Sequence, residues 1–223
     1  MVDGLGRVPR RLWEPPAVEG GAMAKAKGGK RTDLLEAAQR AMAEHGANVR
    51  LNQVAEEAGL TSGAILYHYP DLQDLLVDAN RAGMERFYED RLKAIQGVTD
   101  PAERLIITIK NGLPVDEDDE EVKLLCALGG EAARNTLYAV LLTSLYDRQV
   151  AMYQTILELG AAQGVFTLAA DALAISRNLV ALEDAYGYRI MAGHPTLDHA
   201  ATAGLILGYA RLATNHPLDQ ETR

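Results

Sequence analysis

The chain of 223 residues contains one cysteine, two phenylalanines and one tryptophan. A lone Cys126 excludes an internal disulfide framework and suits a reducing compartment, so a cytoplasmic protein is expected. No apolar run reaches the ~18 residues that a membrane span requires, and the first 30 residues lack the apolar core of a signal peptide. Net positive charge is missing too. With 22 Lys and Arg against 31 Asp and Glu the net charge is -9, which argues against a protein that coats nucleic acid. What the chain does have is 48% hydrophobic and 24% charged residues, the balance of a globular protein with ample material for a core.

The charge is unevenly placed. Residues 1–31 hold seven bases and three acids, a net of +4, whereas residues 32–223 carry a net of -13. Residues 1–30 also hold nine Gly or Pro, too little apolar material to order such a stretch. The expectation is a flexible basic arm over 1–30 that can touch DNA phosphates, with Met23 a second candidate start.

After the arm, apolar residues recur at three- and four-residue intervals, which predicts an all-α protein. Leu34, Leu35, Ala38, Met42 and Ala43 form a stripe that stops at Gly46. A short segment follows from Leu51 to Gly59, and another from Thr61 to Tyr69, stopped by Pro70. Asp71 can cap a longer helix carrying Leu72, Leu75, Leu76, Ala79, Met84 and Phe87. Six acids in a row, Asp116 to Glu121, read as a solvated loop or a helix N-terminus, since they lack the spacing and glycine of a calcium loop. Long helices are expected from Val122 onward, broken near Asn135, at Gly164 and at His194-Pro195.

The stretch Leu51–Pro70, LNQVAEEAGLTSGAILYHYP, has the spacing of a helix-turn-helix. Gly59 sits at the reversal, small Ala55 permits close approach, and Val54, Ala58, Leu60 and Ile65 are the expected contacts between the two helices. Thr61 or Ser62 caps the second helix, whose first N–H groups can face a phosphate. Ser62, Gly63, Ala64, Leu66, Tyr67 and His68 then surround the exposed side. Tyr69 is expected to pack on the first helix. His68 has no Cys or second His at ligand spacing, so no metal site is expected. Spacing alone does not separate this arrangement from another helical hairpin.

The wider strings RTDLLEAAQRAMAEHG and VAEEAGLTSGAILYHYPDLQDLL resemble the DNA-binding domain of the TetR family of bacterial transcriptional regulators, over roughly Lys30 to Asn80. The resemblance implies a three-helix helix-turn-helix domain (31–77), a larger helical ligand-binding and dimerisation domain (78–216) and a tail (217–223). It further implies a homodimer on a pseudo-palindromic double-stranded DNA operator, and a small-molecule effector that releases a repressor from it. Carried over by position, the recognition helix is about Ser62–His68. Thr61, Tyr67 and His68 would touch phosphates, Gly63 would allow close approach, and Ala64 would face bases. Arg50, Ser62 and Leu66 complete the expected DNA-binding set. Ser62 and Leu72 stand where the family often has Lys, and Leu66 where it often has an aromatic. Arg50 replaces a frequent Ser or Thr and could restore one phosphate contact. The alternative is a helical ligand-binding or interaction protein whose helix-turn-helix is weakened. No Gly-rich phosphate loop or nucleophile constellation is present, so neither an enzyme nor a cofactor is expected.

In the C-terminal half, a helix over about Leu137–Gly164 places Tyr138, Leu142, Tyr146, Gln149, Tyr153 and Ile156 in one arc. The next, about Ala169–Met191, interrupts an apolar run with Arg177, Glu183 and Asp184, followed by Tyr186 and Tyr188. Two readings stand side by side. Arg177 and Asp184, seven residues apart, could pair with each other or across a subunit interface. Alternatively, Glu183 or Asp184 with the Tyr rings could bind a cationic or amphipathic effector, with Cys126 and Glu131 on the same cavity. The candidate ligand set is therefore Cys126, Glu131, Tyr146, Tyr153, Glu183, Asp184, Tyr186 and Tyr188. A last helix, about Leu197–Thr214, carries Ala200, Gly204 and Gly208 at four-residue spacing. Such small residues suit a dimer interface or a close crossing within the chain.

Overall fold

A computed structural model describes residues 21–218. Among these, α1 (Gly21–His45) is followed by a 3-10 turn, then α2 (Leu51–Ala58), α3 (Ser62–His68), α4 (Leu72–Ala94) and α5 (Pro101–Lys110). The second half comprises α6 (Glu120–Ala132), α7 (Thr136–Ala162), α8 (Ala172–Met191) and α9 (His199–Thr214). The helix starts follow local chemistry. Thr61, Asp71, Asp100, Asp119, Asn135, Asp171 and Asp198 each accept a backbone N–H from the first turn of the helix they precede. The acid run thus resolves into a short loop and the N-terminus of α6, where carboxylates oppose the helix dipole. Helix α1 already begins at Gly21, so the last ten residues of the expected arm continue the first helix; residues 1–20 lie outside the described residues.

Helices α1 to α3 and the first half of α4 share one apolar core: Leu34, Ala38 and Met42 from α1, Val54 and Ala55 from α2, Ile65 from α3, and Leu75, Leu76 and Ala79 from α4. Gly59 turns the chain between α2 and α3 with φ 62°, a left-handed conformation that costs a residue with Cβ about 1 kcal/mol or more. One expectation fails here. Leu60 is 46% exposed and contributes little between α2 and α3, because it lies beyond the left-handed turn while Val54 and Ile65 fill the gap.

The C-terminal core is built on α5, α7, α8 and α9, with Leu105, Ile109, Tyr153, Ile156, Leu179 and Ile206 among its buried members. Helices α7 and α8 pack along one another. Helix α6 crosses between the two halves, and its Leu124 enters the N-terminal core. Arg86 of α4 ties α6 to α1 through Glu121 at 2.8 Å and Gln39 at 3.0 Å. Among the described residues no helix is long and apolar enough to cross a membrane.

Candidate nucleic-acid interface and ligand cavity

Helix α3 is held by a single inward anchor. Ile65 is fully buried, and its burial stabilises the helix by ~2 kcal/mol. Tyr69, at the C-cap, is the second fixed point. Arg31 of α1 donates from Nε to its hydroxyl at 2.8 Å, and that hydroxyl donates to Asp78 of α4 at 3.1 Å. Arg31 also meets the Asp78 carboxylate at 2.7 Å, so this cluster clamps the end of α3 between α1 and α4. Burial, offset in part by Arg31, raises the Tyr69 pKa and keeps the phenol protonated.

The remaining surface of α3 is open. Tyr67 is 81% exposed, and its ring meets that of His68 edge-on at 5.2 Å between centroids. Thr61, Gly63, Leu66 and His68 are exposed, and Ser62 and Ala64 are half-buried. Arg50, immediately before α2, is exposed on the same domain; its backbone N–H donates to Gln53 at 2.8 Å. The eight expected DNA-binding residues are thus all accessible to some degree. Of the expected free N–H groups, that of Ala64 is already satisfied by Thr61 Oγ1 at 3.2 Å. The Thr61 hydroxyl accepts this bond and retains its own hydrogen for a phosphate oxygen.

A cavity of about 400 Å³ opens among α4, α6, α7 and α8, within the size range of small-molecule sites. Apolar walls come from Phe87, Val122, Leu125, Leu142 and Leu145, and polar groups from Tyr146, Gln149, Glu183, Asp184 and Tyr188. Of the candidate ligand set, Cys126, Tyr146, Glu183, Asp184 and Tyr188 line the wall. Three candidates lie elsewhere. Glu131 pairs with Arg134 at 3.5 Å near the end of α6, Tyr153 is fully buried behind Glu183, and Tyr186 packs against the C-terminal core. Phe87 and Gly112 join the cavity without a prior signal, because they come from a helix and a turn distant in sequence, whereas Gln149 stands on the arc expected for α7.

At the cavity floor lies a buried ion pair that sequence spacing did not reveal. Arg91 of α4 and Glu183 of α8 are 2% and 3% exposed. The guanidinium grips the carboxylate twice, Nη1 to Oε2 at 3.2 Å and Nη2 to Oε1 at 2.9 Å. Nη2 also donates to the Thr108 carbonyl at 3.0 Å, and the Tyr153 hydroxyl donates to Glu183. Arg91 Nε has no hydrogen-bond acceptor. Burial lowers the Arg91 pKa, but Glu183 and Tyr153 outweigh it, and the guanidinium stays charged. The expected Arg177–Asp184 pair does not form within the chain: Arg177 is exposed, and Glu183, one residue earlier and about 100° around the helix, takes an arginine from α4 instead.

Asp184 is left without a hydrogen bond or ion pair. It is accessible to water, yet surrounding protein desolvates it and raises its pKa, with Arg91 opposing; both follow from a place on a cavity wall. Desolvation, with a smaller push from Asp184, also raises Cys126, so its thiol stays protonated. The lining therefore holds two acids and no base. Among the described residues no group of three His, Cys, Asp or Glu side chains could hold a metal ion.

Residues 34–79 match the family described as bacterial regulatory proteins, tetR family. None of the curated proteins matches the chain in sequence. Among solved structures, a transcriptional regulator from Saccharomonospora viridis in complex with choline is 25% identical, covering 82% of this chain and 96% of that one, with a TM-score of 0.76. A TetR transcription regulator from Haloarcula marismortui is 23% identical over 84% and 99%, with a TM-score of 0.75. The regulator FadR from Bacillus subtilis, in complex with stearoyl-CoA, shares 17% identity over 82% and 97%, with a TM-score of 0.65. At 23% and 17% identity the likeness is one of fold.

Proposed function

We propose that the chain, whose residues 34–79 match the tetR family of bacterial regulatory proteins, is a repressor released from its operator by a small molecule. Residues 31–77 bind DNA, and residues 78–216 bind the effector and a second copy; of the expected tail 217–223, Leu218 is buried in the C-terminal core and residues 219–223 lie outside the described residues. Helix α3 enters the major groove. Thr61, Tyr67, His68 and Arg50 contact phosphates, Gly63 allows close approach to the backbone, Ala64 faces the bases, and Ser62 and Leu66 complete the interface. Two-fold symmetry then sets the half-sites ~34–36 Å apart. The second copy packs on α8 and α9, where a Cβ added at Gly204 or Gly208 would meet nothing and Leu205 and Leu212 are exposed.

The observation that carries the effector reading is the cavity wall: apolar and aromatic surface, two carboxylates and no basic side chain. One carboxylate is neutralised by Arg91, which leaves one net negative charge for a ligand to match. The effector is therefore an amphipathic monocation, its positive centre near Asp184 and its apolar part on Phe87, Leu125 and Leu142. The choline complex of the Saccharomonospora viridis regulator is in keeping with this chemistry. A polyanion such as the stearoyl-CoA of the Bacillus subtilis FadR complex is poorly matched by a wall with two carboxylates and no base.

The weakened-hairpin alternative is disfavoured by the exposure of every α3 residue except Ile65 and the half-buried Ser62 and Ala64. Selection of bound duplexes from a random-sequence pool tests DNA binding. Titrating alkyltrimethylammonium ions and fatty acids into the selected complex tests the effector. Release by the cations and not by the acids is expected; no selectable sequence, or release by the acids alone, overturns the respective half.

A further inference from the structure

Glu183 has two neighbours to serve. Glu183 lines the cavity, and both oxygens of its carboxylate hold Arg91. Arg91 sits in the last turn of α4, and the first half of that helix, through Leu75, Leu76 and Ala79, is built into the core that carries α3. At its far end the Asp78 carboxylate of the same helix clamps Tyr69, the C-cap of α3. The C-terminal end of α4 is thus anchored in the ligand-binding half by an ion pair whose carboxylate is within reach of whatever fills the cavity.

Among the described residues Glu183 is the one carboxylate in direct contact with Arg91; Asp184 acts on it only at longer range. The remaining acceptors of Arg91 are the Thr108 carbonyl and the Tyr153 hydroxyl, both neutral, and its Nε has none. A guanidinium in such a site is strongly destabilised when its carboxylate is drawn away. Nη2 holds Thr108 and Tyr153 as well as Glu183, which fixes the guanidinium beside Glu183.

We propose that Glu183 is shared competitively between the effector and Arg91, so that a cation in the cavity loosens the Arg91 anchor of α4 and, through α4, displaces the recognition helix. The proposal rests on the cationic-effector reading above. The effector binds the loosened state more tightly, since Glu183 is then free to face it, and that difference in affinity shifts the equilibrium. Asp184 supplies charge that is present in both states, and so contributes affinity without coupling. Arg91 is a positioning residue, acting on DNA through α4.

Two substitutions in the full-length protein have the same effect on DNA and opposite effects on the cation. The measurements are anisotropy with the selected duplex and calorimetry with decyltrimethylammonium as the probe. Glu183→Gln removes the charge that holds Arg91. It should bind DNA about tenfold more weakly without any probe, bind the probe more weakly, and show no further loss of DNA affinity on adding it. Arg91→Met removes the competitor. It should also lose DNA affinity, yet bind the probe about fivefold more tightly than the wild type. A salt bridge with a structural role alone would weaken probe binding in both variants, and that result overturns the proposal. So does a folded Glu183→Gln protein with wild-type DNA affinity, or one still released by the probe; transmission would then run through α6 and Leu124. If the wild type fails to bind the probe, the cationic reading falls, while the DNA affinities of the two variants still decide whether the ion pair positions α3.

Discussion

Replacing Gly112 by alanine is the smallest change that reaches the buried ion pair. Gly112 lies just after α5, lining the cavity, and its Cα faces the Glu183 carboxylate directly. A Cβ there would overlap Glu183 Oε1 and Cδ and lie 2.7 Å from Arg91 Nη2. The carboxylate is the end of a flexible side chain, but it is pinned by Arg91 and Tyr153 and cannot yield without breaking those bonds. Two outcomes are open to the protein, and both are costly. Moving the backbone of the turn overpacks the core, typically ~1–3 kcal/mol. Swinging Glu183 into the cavity leaves Arg91 buried and unpaired, about 3–5 kcal/mol. At about 2–4 °C per kcal/mol for a chain of this length, a fall in melting temperature of roughly 5–15 °C is expected. Circular dichroism melts of the wild type and Gly112→Ala measure it. Gly130→Ala is the control, since nothing lies within 4 Å of its added Cβ, and in a helix it should be neutral or stabilising by up to ~1 kcal/mol. If Gly112→Ala melts within 2 °C of the control, the close packing of the turn on the ion pair is wrong.

Tyr67→Ala should leave the melting temperature within ~1 °C, because the ring is exposed, and weaken DNA binding about tenfold irrespective of sequence, as the loss of a charged hydrogen bond to phosphate predicts; an unchanged affinity in anisotropy removes Tyr67 from the interface. Asp184 has a pKa raised by desolvation, so the folded state holds its proton to a higher pH than the unfolded chain. Its carboxylate is therefore destabilising at neutral pH, stability from this group rises as pH falls through the window above the ordinary value of 3.8, and Asp184→Asn should melt about 1 °C higher at pH 7 once solvent screening is allowed for. The same protonation should weaken cation binding as pH is lowered, and calorimetry showing pH-independent affinity in the wild type would count against Asp184 as the matching charge. Gly160→Ala should cost about 2–4 kcal/mol, since its Cβ would fall within 2.9 Å of Phe166 Cγ and force that buried ring from the C-terminal core; urea denaturation with an unchanged midpoint would refute this packing.

The helices and their starts were legible because the signals are local. A single residue such as Asp71 or Asn135 satisfies an N–H in its own helix, and Gly59 is demanded by its own backbone angle. The bounds of α3 followed for the same reason, with Thr61 on one side and Pro70 on the other. The cavity was legible only in part. Cys126, Tyr146, Asp184 and Tyr188 declared themselves as polar interruptions on apolar helices, whereas Phe87 looked like any core residue of α4. The partner of Glu183 lay 92 residues away, and spacing along one helix pointed to Arg177 and Asp184 instead. An i, i+7 relation states that two residues share a face, not that the face lacks a better partner on another helix. Leu60 shows the converse error, an apolar residue assigned inward although the turn at Gly59 had already carried the chain past the contact.

The proposed division at residue 77 does not fall between structural units. It cuts α4 in the middle of a continuous helix, and the N-terminal core is completed by Leu124 from α6, on the far side of the cut. The polar bonds around that contact repeat the pattern. Gln39 of α1 donates to the Ala79 carbonyl and accepts from Arg86, which in turn binds Glu121. A cavity residue on α6, such as Cys126, is therefore two positions from a side chain buried in the DNA-binding core. Such an arrangement explains how a chain with a net charge of -9 can still read DNA. Among the described residues, α2, α3 and the residues beside them present no broad basic surface, only Arg50 and a few hydroxyl and imidazole groups. In the proposed dimer, affinity rests on two recognition helices held at the right separation, each positioned by contacts that the cavity shares. On the proposed mechanism, little electrostatic attraction is held in reserve, so a small displacement of α4 would weaken binding strongly, and a weakly basic reader suits control by a small molecule.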